Sequence, residues 1–142
     1  MKTIILLLIS FAIVFTSCID PIYYDGDDVD CYYCYPENQF PDSADLIIDL
    51  TINSTYPKVE IKVYAGMVDN APVIANFEAD TSTVYVYVPI DHLYSVEAIY
   101  SHNNKTIRVI ESDKLEAKLV TEICDEDCWY IVGGEYELNL NE

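Results

Sequence analysis

The sequence predicts an all-β fold: an immunoglobulin-like antiparallel β-sandwich of about seven to nine strands. Three observations predict it. From residue 46 apolar residues recur at every second position. Val, Ile, Thr and Tyr dominate those segments, as a pleated surface prefers. Turn residues separate the segments, and no helical stripe follows the N-terminal region. A small β-barrel is the alternative reading of the same pattern.

Taken in order, Leu46, Ile48, Leu50 and Ile52 alternate with Ile47, Asp49, Thr51 and Asn53. Val59, Ile61 and Val63 form a second face, and Val73, Ala75, Phe77 and Ala79 a third. Val84, Val86 and Val88 then oppose Tyr85 and Tyr87. Such alternation turns one set toward a core and the other toward solvent. Segments 94–101 and 106–111 flank Asn103-Asn104, and Asn tolerates the positive φ of a two-residue hairpin turn. That register sets Tyr100 opposite Ile107 and Ala98 opposite Val109. Segments 115–124 and 128–132 follow, joined by Asp125-Glu126-Asp127. Gly133-Gly134 predicts a bulge or kink before a last strand over 135–140, with Tyr136, Leu138 and Leu140 on one face. Trp129 is the largest candidate for the core.

Charge narrows the partners. The 142 residues hold 7 Lys and Arg against 25 Asp and Glu, a net charge of −18. A nucleic-acid partner is excluded, because phosphate binding needs a basic face. A hydrophobic share of 51% and 13 tyrosines exclude a chain too polar to fold.

The N-terminus reads as an address. Lys2 precedes an apolar run from Ile4 to Phe15, broken only by Ser10. A positive start, an apolar stretch and small residues at its end make a secretory signal peptide. The run is shorter than the roughly 20 residues a spanning helix needs. Phe15-Thr16-Ser17-Cys18 resembles a bacterial lipobox, in the relaxed form of Bacteroidetes-type lipoproteins, with Phe15 where Leu is commonest. The resemblance covers residues 1–18. It implies a signal peptide over 1–17, a diacylglycerol and further acyl chain (palmitate-like) on Cys18, and a lipid-anchored place in the cell envelope. The outer membrane is expected, on its periplasmic or surface face. Lipid would have to hold the chain there, since its charge repels anionic surfaces.

Residues 18–45 carry eight acidic residues, no Lys or Arg, and Pro21, Pro36 and Pro41. They read as an extended tether ahead of a domain over 46–142. Acidic residues soon after Cys18 also resemble the surface-export signals of such lipoproteins. Asp42-Ser43-Ala44 resembles their O-glycosylation pattern, which makes Ser43 a candidate acceptor.

Besides Cys18 there are Cys31, Cys34, Cys124 and Cys128. Beyond the cytoplasm an even set reads as disulfides, with three possible connectivities. Cys124–Cys128 and Cys31–Cys34 would close small local loops. The other two pairings would staple the tether to the last hairpin, closing loops of about ninety residues. Both arrangements stay open. A Cys₄ zinc site is the metal alternative, but the second pair brackets three acidic residues and export favours oxidation. Redox catalysis by Cys31-Tyr32-Tyr33-Cys34 lacks the cation that would depress a thiol pKa. No metal or other cofactor is therefore assigned.

Other chemistry is sparse. Asp25-Gly26-Asp27-Asp28-Val29-Asp30 and the group Glu122, Asp125, Glu126 and Asp127 offer oxygen ligands for calcium without EF-hand spacing. His92 and His102 sit beside turn signals. No nucleophile motif or phosphate loop occurs, so no enzyme is expected. Tyr85 and Tyr87 are the best contact candidates, since tyrosine joins a rigid apolar ring to a polar tip. The expected function is a non-enzymatic, lipid-anchored binding or structural module at the envelope. Its partner would be an envelope protein, or a glycan held by the exposed tyrosines.

Overall fold

A computed structural model describes residues 29–140. The signal peptide, Cys18 and the acidic run through Asp28 lie outside the described residues. Nine strands form among those described. They are β1 (Tyr35–Pro36), β2 (Ser43–Asp49), β3 (Val59–Tyr64), β4 (Val73–Ala79), β5 (Thr83–Pro89), β6 (His92–His102), β7 (Lys105–Val120), β8 (Cys128–Val132) and β9 (Glu135–Glu137). A six-stranded sheet runs β1-β8-β7-β6-β3-β4, and a three-stranded sheet runs β5-β2-β9. The fold is an all-β sandwich, antiparallel except where β2 and β9 run parallel.

Alternation builds the core between the sheets. Ala44, Leu46 and Ile48 of β2 are buried, as are Val59, Ile61 and Val63 of β3. Tyr94, Val96, Ala98 and Tyr100 of β6 meet them, joined by Leu115, Tyr136 and Leu138. Hydroxyls of the buried tyrosines tie one layer to the other. Tyr100 donates to the Leu138 carbonyl at 2.7 Å and accepts the Thr51 amide at 3.1 Å. Tyr94 donates to the Pro89 carbonyl at 2.7 Å, and Tyr136 reaches the Tyr94 carbonyl at 3.2 Å. A buried phenol needs such a partner, and each bond also fixes the register of the layers.

The hairpin at Asn103-Asn104 forms with φ of 48° and 60° at the two asparagines. Tyr100 pairs with Ile107 and Ala98 with Val109, as the turn predicts. Gly133 and Gly134 take φ of 77° and 84° and carry the chain from one sheet to the other. A Cβ on Gly133 would lie 2.1 Å from the Lys114 carbonyl oxygen, so only glycine fits that crossing.

Three expectations are corrected, and one open question is decided. Segments 106–111 and 115–124 are not separate strands: β7 runs unbroken through Ser112-Asp113-Lys114. The polar residues that resemble a break have partners inside the fold. Ser112 Oγ bonds Ser95 Oγ at 2.7 Å, and Asp113 accepts the Gly134 amide at 2.8 Å. Residues up to 45 are not all tether, because β2 begins at Ser43 and β1 pairs with β8. Of the disulfide arrangements left open, the structure has a long-range one. Cys31 joins Cys124 and Cys34 joins Cys128, with Cα separations of 5.7 and 5.5 Å. Trp129 is outside the main core. It is half-buried, donates to the Glu37 carbonyl at 2.9 Å and stacks edge-on against Phe40.

Candidate functional site

Tyr85 and Tyr87 stand on the outer face of the three-stranded sheet, because Val84, Val86 and Val88 turn inward. They are 65% and 70% exposed. Their cross-strand partners on β2 are Ile47 and Asp45. That face therefore carries two free aromatic rings flanked by an aliphatic side chain and a carboxylate.

Tyr87 also borders a cleft of about 270 Å³, shared with Tyr35, Gln39, Phe40, Asp42 and Ser43. The far wall comes from the segment expected to be tether. Cys34–Cys128 and the β1–β8 pairing hold its start. Trp129 then fixes residues 37–40 through the Glu37 carbonyl and a Phe40 ring contact at 4.8 Å. The disulfide end thus builds one side of the cleft, and Trp129 positions Phe40 in it. An aromatic, an amide, a carboxylate and a hydroxyl face one small volume.

The cysteines enclose a second cleft, of about 420 Å³, with Pro36, Asp125, Glu126 and Asp127. The sulfurs of Cys34, Cys124 and Cys128 lie within 4.8 Å of one another. In the bridged state none of them is the thiolate that zinc or redox exchange requires. Of the proposed calcium ligands, Asp30 instead caps the turn at Cys31–Tyr33, accepting the Tyr32 amide at 3.0 Å. Asp25, Asp27 and Asp28 lie outside the described residues. His92 and His102 bond the Ile90 carbonyl and the Asn103 side chain, each at 2.7 Å. Ser43, the candidate acceptor, opens β2 opposite Pro89 and is half-buried.

One polar cluster escapes sequence reasoning. Glu97 sits on the outward side of β6, yet its side chain is fully buried. Tyr64 donates to Glu97 Oε2 at 2.8 Å, and Arg108 Nε donates to Oε1. Burial alone would raise the Glu97 carboxyl, but the hydrogen bonds from Arg108 and Tyr64 outweigh it and hold the group below its ordinary value. Burial and the Glu97 carboxylate push the Tyr64 phenol up. Period-two alternation marks this position as outward and contains no signal for what covers it.

No protein family model matches the chain, and the comparisons with curated proteins and with solved structures return no match. The geometry therefore carries the functional reading by itself.

Proposed function

We propose that this protein is an exported, lipid-anchored binding module of the cell envelope, without catalytic activity, and that its ligand is a carbohydrate. One observation carries the ligand class: two exposed tyrosine rings share one face, and one of them, Tyr87, borders a cleft that adds Phe40, Gln39, Asp42 and Ser43. Sugars present apolar C–H faces to aromatic rings and hydroxyls to amides and carboxylates. The arrangement supplies both kinds of contact side by side, on a rigid strand and a cross-linked loop. The disulfides fit an oxidising compartment outside the cytoplasm, and the lipobox-like Phe15-Thr16-Ser17-Cys18 supplies the anchor.

A panel of envelope and host glycans, offered to the intact mature protein, tests the reading. Binding should appear for at least one glycan class and fall at least about tenfold in Tyr85→Ala/Tyr87→Ala, with an unchanged circular dichroism spectrum. Absence of binding to any glycan would overturn it. Intact mass of the native membrane-extracted chain tests the anchor: an acylated N-terminal Cys18 is expected, and an unmodified one removes the membrane from the proposal.

A further inference from the structure

Four strands end the two sheets, and three of those edges are protected. β1 is two residues long and contains Pro36. β4 carries Glu78 and a register shift against β3. β9 is three residues long, begins and ends with glutamate, and has its Glu137 amide taken by the Glu111 carboxylate at 2.8 Å. Short length, proline, charge, bulges and covering groups are the usual means of keeping a free edge from pairing with another chain. β5 has none of them from Val84 through Val88. It is the one long, uncharged edge among the described strands, in a chain of net charge −18.

The hydrogen-bond phase of β5 follows from its ends. Leu50 N donates to the Ser82 carbonyl at 2.8 Å and Ile90 N to the Asp42 carbonyl at 3.1 Å. Even-numbered residues of this strand therefore turn their main chain toward β2. In an antiparallel ladder successive residues alternate sides. Thr83, Tyr85, Tyr87 and Pro89 consequently point their main chain at the open edge. The Thr83 carbonyl is engaged by Thr81 Oγ1 at 3.0 Å and the Pro89 carbonyl by Tyr94. The amides and carbonyls of Tyr85 and Tyr87 form the centre of that edge.

The residues around Val86 read the same in both directions: Val84-Tyr85-Val86-Tyr87-Val88. We infer that β5 pairs antiparallel with β5 of a second copy of this chain, about a two-fold axis at Val86. That axis sets Tyr85 opposite Tyr87 of the partner, and Tyr87 opposite Tyr85. Both are the outward-facing kind of residue, so the two pairs exchange four main-chain hydrogen bonds. Val84 falls opposite Val88 on the core side, and no like charges meet along the ladder. Pro89 lacks an amide and stops the ladder at each end. A closed two-fold contact of this kind is self-complementary and does not propagate into a fibre. The two three-stranded sheets merge into one of six, with four tyrosines side by side on its outer face.

The inference does not rest on the carbohydrate reading, because the ladder is made by main chain. Sedimentation equilibrium of the intact mature chain, in detergent if acylated, tests it across the micromolar range. The protein should be dimeric, and more tightly so as salt screens the acidic copies. Tyr85→Lys/Tyr87→Lys places lysine against lysine in both pairs and should weaken the dimer at least about a hundredfold. Tyr85→Glu/Tyr87→Lys places glutamate against lysine in the same register and should restore it. Both changes lie on an exposed face, so circular dichroism should be unaltered. A monomeric wild type, a lysine variant that stays dimeric, or a glutamate–lysine variant that stays monomeric would each overturn the proposal.

Discussion

The two ends of this molecule are held by different forces. Between the sheets, Leu46, Ile48, Val96 and Tyr100 are wholly or almost wholly removed from water. Over Cys31–Tyr33 no side chain is buried, and Tyr32 and Tyr33 are 86% and 69% exposed. Apolar burial cannot fix that segment. Two disulfides spanning 93 and 94 residues hold it instead, helped by a two-residue pairing with β8. The sandwich is what folds, and the cross-linked end is what the sandwich has attached to it. That attachment matters because the segment just beyond it forms a wall of the aromatic cleft.

The sharpest way to break this contrast is to remove one side chain from the core. Ile48→Ala should cost about 2–5 kcal/mol, because a fully buried site loses both transfer energy and packing. Urea denaturation would read it as a lower midpoint with an unchanged slope. A cost below about 1 kcal/mol would mean that the layers pack loosely around β2.

The covalent end should respond differently. Cys34→Ala with Cys128→Ala should cost about 2–4 kcal/mol, mostly by freeing the unfolded chain. In the folded state the loss should stay local. Amide exchange should quicken over 35–40 and in β8, while amides of β2 and β6 keep their protection. Equal loosening throughout β2 and β6 would show that the bridges support the core as well.

Legibility in the sequence follows the same division. Alternation exposes the core, since each strand must bury one face whatever its neighbours are. Asn103-Asn104 even fixes the β6–β7 register, because turn chemistry acts over two residues. Disulfide connectivity depends on which distant ends meet, and no local pattern encodes that. Trp129 reads as core by size alone, yet its position beside Cys128 puts it at the sheet end, against Phe40. Of the cleft, Tyr85 and Tyr87 are legible by alternation. Tyr35, Gln39 and Phe40 are not, since their charge-rich, proline-broken surroundings resemble a linker until the bridges draw them in.

Glu97 is the polar exception within the apolar region, and pH isolates its contribution. Its folded pKa is depressed, so its stabilisation is complete above the ordinary glutamate value of about 4.3. It is lost as pH falls through the lower folded value, where the native carboxylate takes up its proton. Glu97→Gln keeps the shape and removes the charge-assisted bonds to Arg108 and Tyr64. At neutral pH it should be about 1–3 kcal/mol less stable than the wild type. The gap should narrow as the solution is acidified below the ordinary value. Parallel stability curves for the two proteins would show that the carboxylate is not what Arg108 and Tyr64 recognise.

The smallest stability effect belongs to the residues with the largest functional assignment. Tyr85→Ala and Tyr87→Ala should each cost under about 1 kcal/mol, the scale of a cross-strand pair on an exposed face. Tyr100→Phe removes one oxygen and should cost about 1–3 kcal/mol, because it strands the Leu138 carbonyl and the Thr51 amide. All three tyrosines lie in alternating strands of similar composition. What separates them is phase: Tyr100 shares the inward set with Val96 and Ala98, whereas Tyr85 and Tyr87 oppose the inward valines. An aromatic ring that the fold does not need for stability, repeated on one face, is free to serve a ligand. If Tyr85→Ala instead destabilised the protein as much as Tyr100→Phe, its ring would be packing against the domain, and the binding face would have to be sought elsewhere.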